Sequence, residues 1–139
     1  MAVFNKFSSF VEALAEGAHN LGSNVLKIML TDSAPLATNT VKANLTDISA
    51  GNGYPAGGTA VTITASSQTY GLYKLVGNDV VFTASGGSIG PFRYAALYND
   101  TATNDELIGW WDYGASITLL AGETLTVDLD AVNGILTIQ

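Results

Sequence analysis

The side chains in this sequence suited to acid–base or metal chemistry are mostly carboxylates: twelve of them, with one histidine and no cysteine. The lack of cysteine removes disulfides, thiolate nucleophiles and cysteine zinc sites. A lone His19 cannot build a multi-histidine metal centre. Asp128 and Asp130 are two apart and share one strand face, opposite Leu125, Val127 and Leu129. With Asn133 and Gly134 they share residue types with a calcium loop, but at the wrong spacing; two solvated acids on an outward face is the plainer account. Asp105, Glu106 and Asp112 are the residues from which a glycosidase-like acid pair would be drawn. Asp105 and Glu106 fall in a hairpin turn, where solvated acids are ordinary. His19 lies near a helix end, where a cation is mildly favoured, and reads as a surface or capping residue. The glycine-rich stretches 51–58 and 86–91 precede no helix and carry no Lys-Ser/Thr pair, so they read as turns rather than phosphate loops. Neither a catalytic residue, a cofactor nor a metal is expected.

The aromatic residues are more informative. In the run from Glu106 to Tyr113, one alternating phase is Leu107, Gly109, Trp111 and Tyr113, free of charge and expected to face the core. The other is Glu106, Ile108, Trp110 and Asp112, which puts Trp110 on the wetter face. On the strand before it, Phe92, Tyr94, Ala96 and Tyr98 form a row opposite Arg93, Ala95 and Leu97. A sheet this apolar on both faces is either covered on both sides or presents an interface. Tyr, Trp and Arg are enriched at interface centres. The candidate partner contacts are therefore Arg93, Tyr94, Tyr98 and Trp110, joined by Phe4, Phe7 and Phe10 near the start of the chain.

The elements that must position these residues follow from periodicity. Residues 1–22 are expected to hold one amphipathic helix, with Phe7, Phe10, Val11, Leu14 and Ala18 on one face and Gly22 as its stop. That helix either packs on the domain's own core or docks as an arm on a neighbour. Residues 23–139 form one domain of period-two segments. Leu26, Ile28 and Leu30 share one strand phase; Val61 and Ile63 point inward. A pair of strands flanks a reversal at Gly77-Asn78, and a turn of helix is expected near Leu45–Ile48. Hairpins are expected at 92–113 and, through Ala121-Gly122, at 117–130. Asn133-Gly134 precedes a short last strand, Ile135–Ile138. Seven to nine short strands at this spacing predict a mainly β fold: an antiparallel β-sandwich or jelly-roll-like domain with one N-terminal α-helix.

Composition bounds the partners. Apolar residues make up 47% of the chain and charged residues 12%, with a net charge of −7, which disfavours phosphate neutralisation and hence general nucleic-acid binding. The imbalance is local. Residues 1–93 hold five basic and five acidic side chains; residues 94–139 hold seven acids and no Lys or Arg. Such an acidic third could steer the protein toward a basic partner surface, or simply keep it soluble. The apolar stretches are too interrupted for a membrane span or a secretory leader, so the expectation is a soluble protein made in a cytoplasm, with no membrane partner.

Four segments carry a resemblance. They are Met-Ala-Val-Phe-Asn-Lys-Phe at the start, Val25–Thr31 (VLKIMLT), Gly90–Asp100 (GPFRYAALYND) and Leu107–Gly114 (LIGWWDYG), with Ser116–Thr124 in the same style. Together they resemble a group of small tailed-bacteriophage virion proteins over nearly the whole chain. The resemblance implies a non-enzymatic structural part of a virion, made in the bacterial host and present in many copies or as a homo-oligomer. It supplies no catalytic or ligand-binding residues. The first expectation is a capsid decoration (cement) protein on the outer head surface, bridging major capsid protein subunits. The alternatives are a tail, neck or fibre-base component, and a carbohydrate-binding β-module using Trp110 and the tyrosines.

Overall fold

The computed structural model describes residues 2–139; Met1, the first residue of the expected helix, lies outside them. The fold is mainly β, with antiparallel sheets and one short helix. The described residues form three sheets. The largest has five strands, in the order β1 (Phe4–Lys6), β8 (Leu107–Leu119), β7 (Ile89–Asn99), β2 (Leu26–Thr31) and β3 (Thr59–Ala60). The second has three strands, β10 (Leu136–Ile138), β5 (Leu72–Gly77) and β4 (Ile63–Thr69). The third is a ribbon of β6 (Val80–Thr83) and β9 (Thr124–Val127).

The main core draws Leu26, Ile28, Leu30, Phe92, Ala95, Leu97, Ile108 and Trp111 from the five-stranded sheet. Leu75 of the three-stranded sheet and Val80, Phe82 and Val127 of the ribbon complete it. The arrangement is a β-sandwich in which one layer is split into two pieces. Apolar residues two apart supply each inward face, as a half-buried strand requires.

A second, smaller core lies on the opposite face of the large sheet. It holds Phe7, Met29, Leu45, Ala96, Tyr98 and Leu107, with Trp110 packed against it. The large sheet is therefore covered on both sides by its own chain. The cover comes from the N-terminal segment and the long connection between β2 and β3. Ser8 N donates to Ala37 O at 2.9 Å, Leu107 N to Thr40 O at 3.0 Å and Lys42 N to Asp105 O at 2.9 Å. A clasp of side chains fixes the far end of this connection. The buried Tyr54 hydroxyl donates to Asp47 and accepts from Leu30 N at 3.0 Å. Asp47 also accepts from Gly57 N at 2.7 Å, and Tyr98 donates to Gly57 O at 2.6 Å. Gly58 is obligatory here: its φ is +84°, and a Cβ would stand 1.8 Å from the Ile28 carbonyl oxygen.

Several expectations are corrected. The helix α1 covers only Phe10–Ala15, because Gly17, at φ +84°, takes the left-handed conformation that ends it five residues before Gly22. Residues 4–6 are extended instead, because they pair with β8 (Phe4 with Trp111, Lys6 with Gly109). Val11 is exposed, whereas Phe10 is buried. The short helical turn lies at Lys42–Asn44, where the Asn44 side chain accepts from the N–H groups of Thr40 and Val41, rather than near Leu45–Ile48. The reversal joins β4 to β5 at Tyr70-Gly71, both at positive φ, and Gly77-Asn78 instead carries the chain from one sheet to another. Likewise β9 pairs with β6 and not with β8, so Ala121-Gly122 is a crossing between layers.

The phase of β8 also changes midway. Leu97 pairs with Gly109 but Tyr98 with Leu107, so Ile108 is the extra residue of a bulge. Leu107 therefore joins the second core and Ile108 the main core, the reverse of strict alternation. A second register shift between Phe92 and Tyr94 places Phe92 in the main core, apart from the row it was expected to share with Tyr94 and Tyr98.

Because Phe7 is completely buried beneath Trp110, Phe7→Ala should destabilise the protein by about 3–5 kcal/mol in urea unfolding. Removal of residues 1–21 should leave an unfolded product, read by loss of its near-ultraviolet circular dichroism. A folded, fully stable truncation would show that this segment is a dispensable arm.

Candidate interaction surface

β7 and β8 run side by side through the centre of the large sheet, and their outer faces meet at Tyr94 opposite Asp112. Arg93 donates from Nε to Asp112 Oδ1 at 2.8 Å and from Nη2 to Oδ2 at 3.0 Å, a two-pronged pair across the strands. Asp112 Oδ1 also accepts from Gly114 N at 2.8 Å. Together, the Arg93 hydrogen bond first and Gly114 second, these hold the Asp112 carboxyl below the usual carboxylate range. The Arg93 guanidinium lies over the Tyr94 ring, 5.3 Å from its centroid. Nearby, Ser116 Oγ donates to Asp32 Oδ1 at 2.6 Å. Both members of the Arg93–Asp112 pair are more than one-third exposed, so the pair orients these groups more than it stabilises the fold.

Beside this pair lies a cleft of ≈ 460 Å³, bounded by Trp111, Tyr113 and Thr126, with Asp112 and Asp128 on its wall. Burial, with a smaller contribution from Asp128, pushes the Tyr113 hydroxyl up to about 12. Trp110 is half-buried, its ring tilted on Phe7 at 4.6 Å between centroids. Phe4 meets Trp111 edge-on at 5.2 Å.

The partner contacts expected from sequence therefore divide. Arg93 and part of Trp110 remain accessible, with half-buried Phe4 at the sheet edge. Phe7, Phe10, Tyr94 and Tyr98 are buried within the chain and have little side chain to offer a partner. The rings of Phe7, Phe10 and Tyr98 are spent on the two cores, that of Tyr94 lies under Arg93, and Tyr98 additionally carries Lys42 over its ring at 5.5 Å.

The carboxylates are not gathered into one site. Glu106 and Asp112 stand six residues apart on one side of the hairpin, roughly 20 Å along an extended strand, and Asp112 is committed to Arg93. β9 ends at Val127, so Asp128 is exposed just beyond it and Asp130, at φ +50°, lies in the turn that follows; the strand face the two acids were expected to share is not formed. Asp130 accepts from the backbone and side chain of Asn133 and from Val132 N, which lowers its carboxyl below the ordinary range. Nor do the seven late acids form one face. Asp100, Asp105 and Glu106 sit at one end of the β7–β8 hairpin, while Glu123 lies beyond the other end of β8. Among the described residues, no group of three His, Cys, Asp or Glu side chains is placed to hold a metal ion. None of the helices there is long and apolar enough to cross a membrane.

One polar cluster escaped sequence reasoning. Asn99 Oδ1 accepts from the backbone N–H groups of Thr101 and Ala102, at 3.0 and 3.1 Å. Its Nδ2 must then donate, to Asn24 Oδ1 at 2.8 Å and to His19 Nδ1 at 3.0 Å. The network assigns His19 as the neutral tautomer protonated on Nε2. His19 is buried against the Phe10 ring, so it is not the surface or capping residue its sequence position implied. A helix-end histidine and a strand-end asparagine, 80 residues apart, give no local signal of meeting.

Comparison with known proteins finds no family model, curated protein or solved structure that matches this chain.

Burial lowers the His19 pKa from 6.5, against a smaller opposing pull from Glu106. The unfolded chain therefore takes up this proton before the folded one does. Stability should fall as the pH drops below 6.5, above the range in which the lowered Asp112 and Asp130 carboxyls titrate. His19→Gln should flatten that slope in urea melts at stepped pH; an unchanged slope would show that His19 is not its source.

Proposed function

We infer that this chain is a non-enzymatic structural protein of a tailed-bacteriophage virion, and more specifically a capsid decoration protein on the outer head surface. The observation that carries this reading is the resemblance spread over the start, Val25–Thr31, Gly90–Asp100 and Leu107–Gly114. Those segments build β1, β2, β7 and β8, four of the five strands of the large sheet. The resemblance thus falls on the frame of the domain and not on a detachable motif. The geometry is compatible with a binding part: Asp112 and Asp130 are tied into local hydrogen bonds, and Arg93, Asp112 and Trp110 offer a charged and aromatic strip at the surface.

In this reading the strip around Arg93 contacts major capsid protein subunits, and the apolar cores keep the domain rigid enough to bridge them. A tail, neck or fibre-base position is the alternative within the virion. The carbohydrate-binding reading loses support from Trp110, whose ring is half-covered by Phe7 instead of lying free as a stacking platform.

Quantitative mass spectrometry of purified particles tests the assignment. On the order of hundreds of copies per particle is expected for decoration of an icosahedral head, and about a dozen would place the chain in the tail or neck. With undecorated heads, Arg93→Ala should weaken binding by about 2 kcal/mol, roughly thirtyfold in Kd, if Arg93 is an anchor. Added salt should slow association if the acidic residues steer docking.

A further inference from the structure

The β4–β5 hairpin stands apart from the rest of the domain. Every residue from Thr64 to Leu72 is exposed, and Tyr70 at its tip is fully so. β4 is the outer strand of its sheet, with β5 on one side only. At seven residues it is also the longest sheet edge; the other outer strands are two to four residues long.

Natural edge strands are blunted by lysine, proline, inward charge or short length. β4 reads Ile-Thr-Ala-Ser-Ser-Gln-Thr and carries no charge and no proline. Its one irregularity is a bulge at Thr64, which leaves the run from Ala65 to Thr69 regular. Tyr70 and Gly71, at φ +51° and +83°, form the two-residue turn, so Thr69 and Leu72 are its hydrogen-bonded pair. Alternation from there turns the N–H and C=O of Ser66 and Gln68 away from β5. Water solvates such a row in the free chain, and another extended backbone can replace that water along its whole length.

We propose that this edge pairs with the same edge of a second copy of the chain, joining two three-stranded sheets into one of six strands. Charge selects this occupant. Two molecules of net charge −7 repel one another over most of their surface, but from Ile48 to Asn78 the only charged residue is Lys74. β4 lies within that acid-free stretch. An antiparallel pair about a two-fold axis at Ser67 sets Ser66 opposite Gln68 of the second copy, and Gln68 opposite its Ser66. Both outward-facing residues are then satisfied on both chains. Lys74, beside Ser67 on β5, comes to lie three strand spacings from its counterpart, about 14 Å, beyond the Debye length at physiological salt. This proposal rests on β4 alone and does not depend on the virion reading.

Sedimentation velocity of the full chain, from about 1 μM to 1 mM, tests it. The chain should dimerise as concentration rises. Ser67→Lys and Ser67→Glu each place like charges face to face at the axis, and each should weaken self-association at least tenfold, on the order expected for like-charge contacts. An equal mixture of the two should restore the dimer. Gln68→Pro removes an outward donor while sparing the β5 ladder, and should also give monomer with unchanged circular dichroism. A wild-type chain that stays monomeric throughout, Ser67 variants that dimerise as well as wild type, or a mixture that stays monomeric would each overturn the proposal. Because the assay contains no particles, its result is independent of whether the chain binds a capsid.

Discussion

The large sheet is apolar on both faces, and one chain of 139 residues has to cover both. Antiparallel sheets usually leave one side to water. Here β2 is nearly all buried, with Leu26, Ile28 and Leu30 facing one core and Met29 the other. The remaining architecture answers that demand. Two small sheets close the main core, while the N-terminal segment and the long β2–β3 connection close the other. The Asp47–Tyr54 clasp holds that connection down with hydrogen bonds where it has little secondary structure of its own.

The same demand explains the low charged content. Two cores in a small domain consume most of the apolar side chains and leave few positions that must be polar. Several of the remaining polar groups are engaged as fixings: Asn99 with His19 and Asn24, Asp47 with Tyr54, Arg93 with Asp112. Of the seven acids in the last third, Asp100 and Asp112 meet basic partners, Lys27 and Arg93, from the neutral first part of the chain. The charge imbalance seen along the sequence is partly offset across the fold.

The class of the fold and the central hairpin were legible because period-two burial leaves its mark on sequence. Leu26, Ile28, Leu30, Val61 and Trp111 face inward as their spacing indicates. What was not legible was non-local. The bulge at Ile108 reverses side-chain phase without any distinctive residue type, and the register shift beside Phe92 is marked only by Gly114, at φ +88°, on the facing strand. Strands adjacent in sequence, β5 with β6 and β8 with β9, separate into different sheets, and turn chemistry cannot reveal that. The N-terminal phenylalanines fitted a helical stripe, but pairing with β8 outweighed local propensity for Phe4. Of the candidate surface, Arg93 was found by residue type, and Trp110 by residue type together with its place on the wetter strand phase. Burial of Tyr94 and Tyr98 depended on knowing that the outer face was already occupied.

The pairing of β1 with β8 also bears on the order of folding. β1 joins a strand more than 100 residues later in the chain, Phe4 against Trp111 and Phe7 beneath Trp110. Synthesis proceeds from the N-terminus, so these phenylalanines wait, unburied, until the more than 100 residues leading up to Trp111 have been made. Such long-range pairings slow folding because loop-closure entropy must be met before the contact forms. A protein built this way closes one edge of its large sheet with a segment made long before its partner strand, and that segment must stay available until β8 is in place.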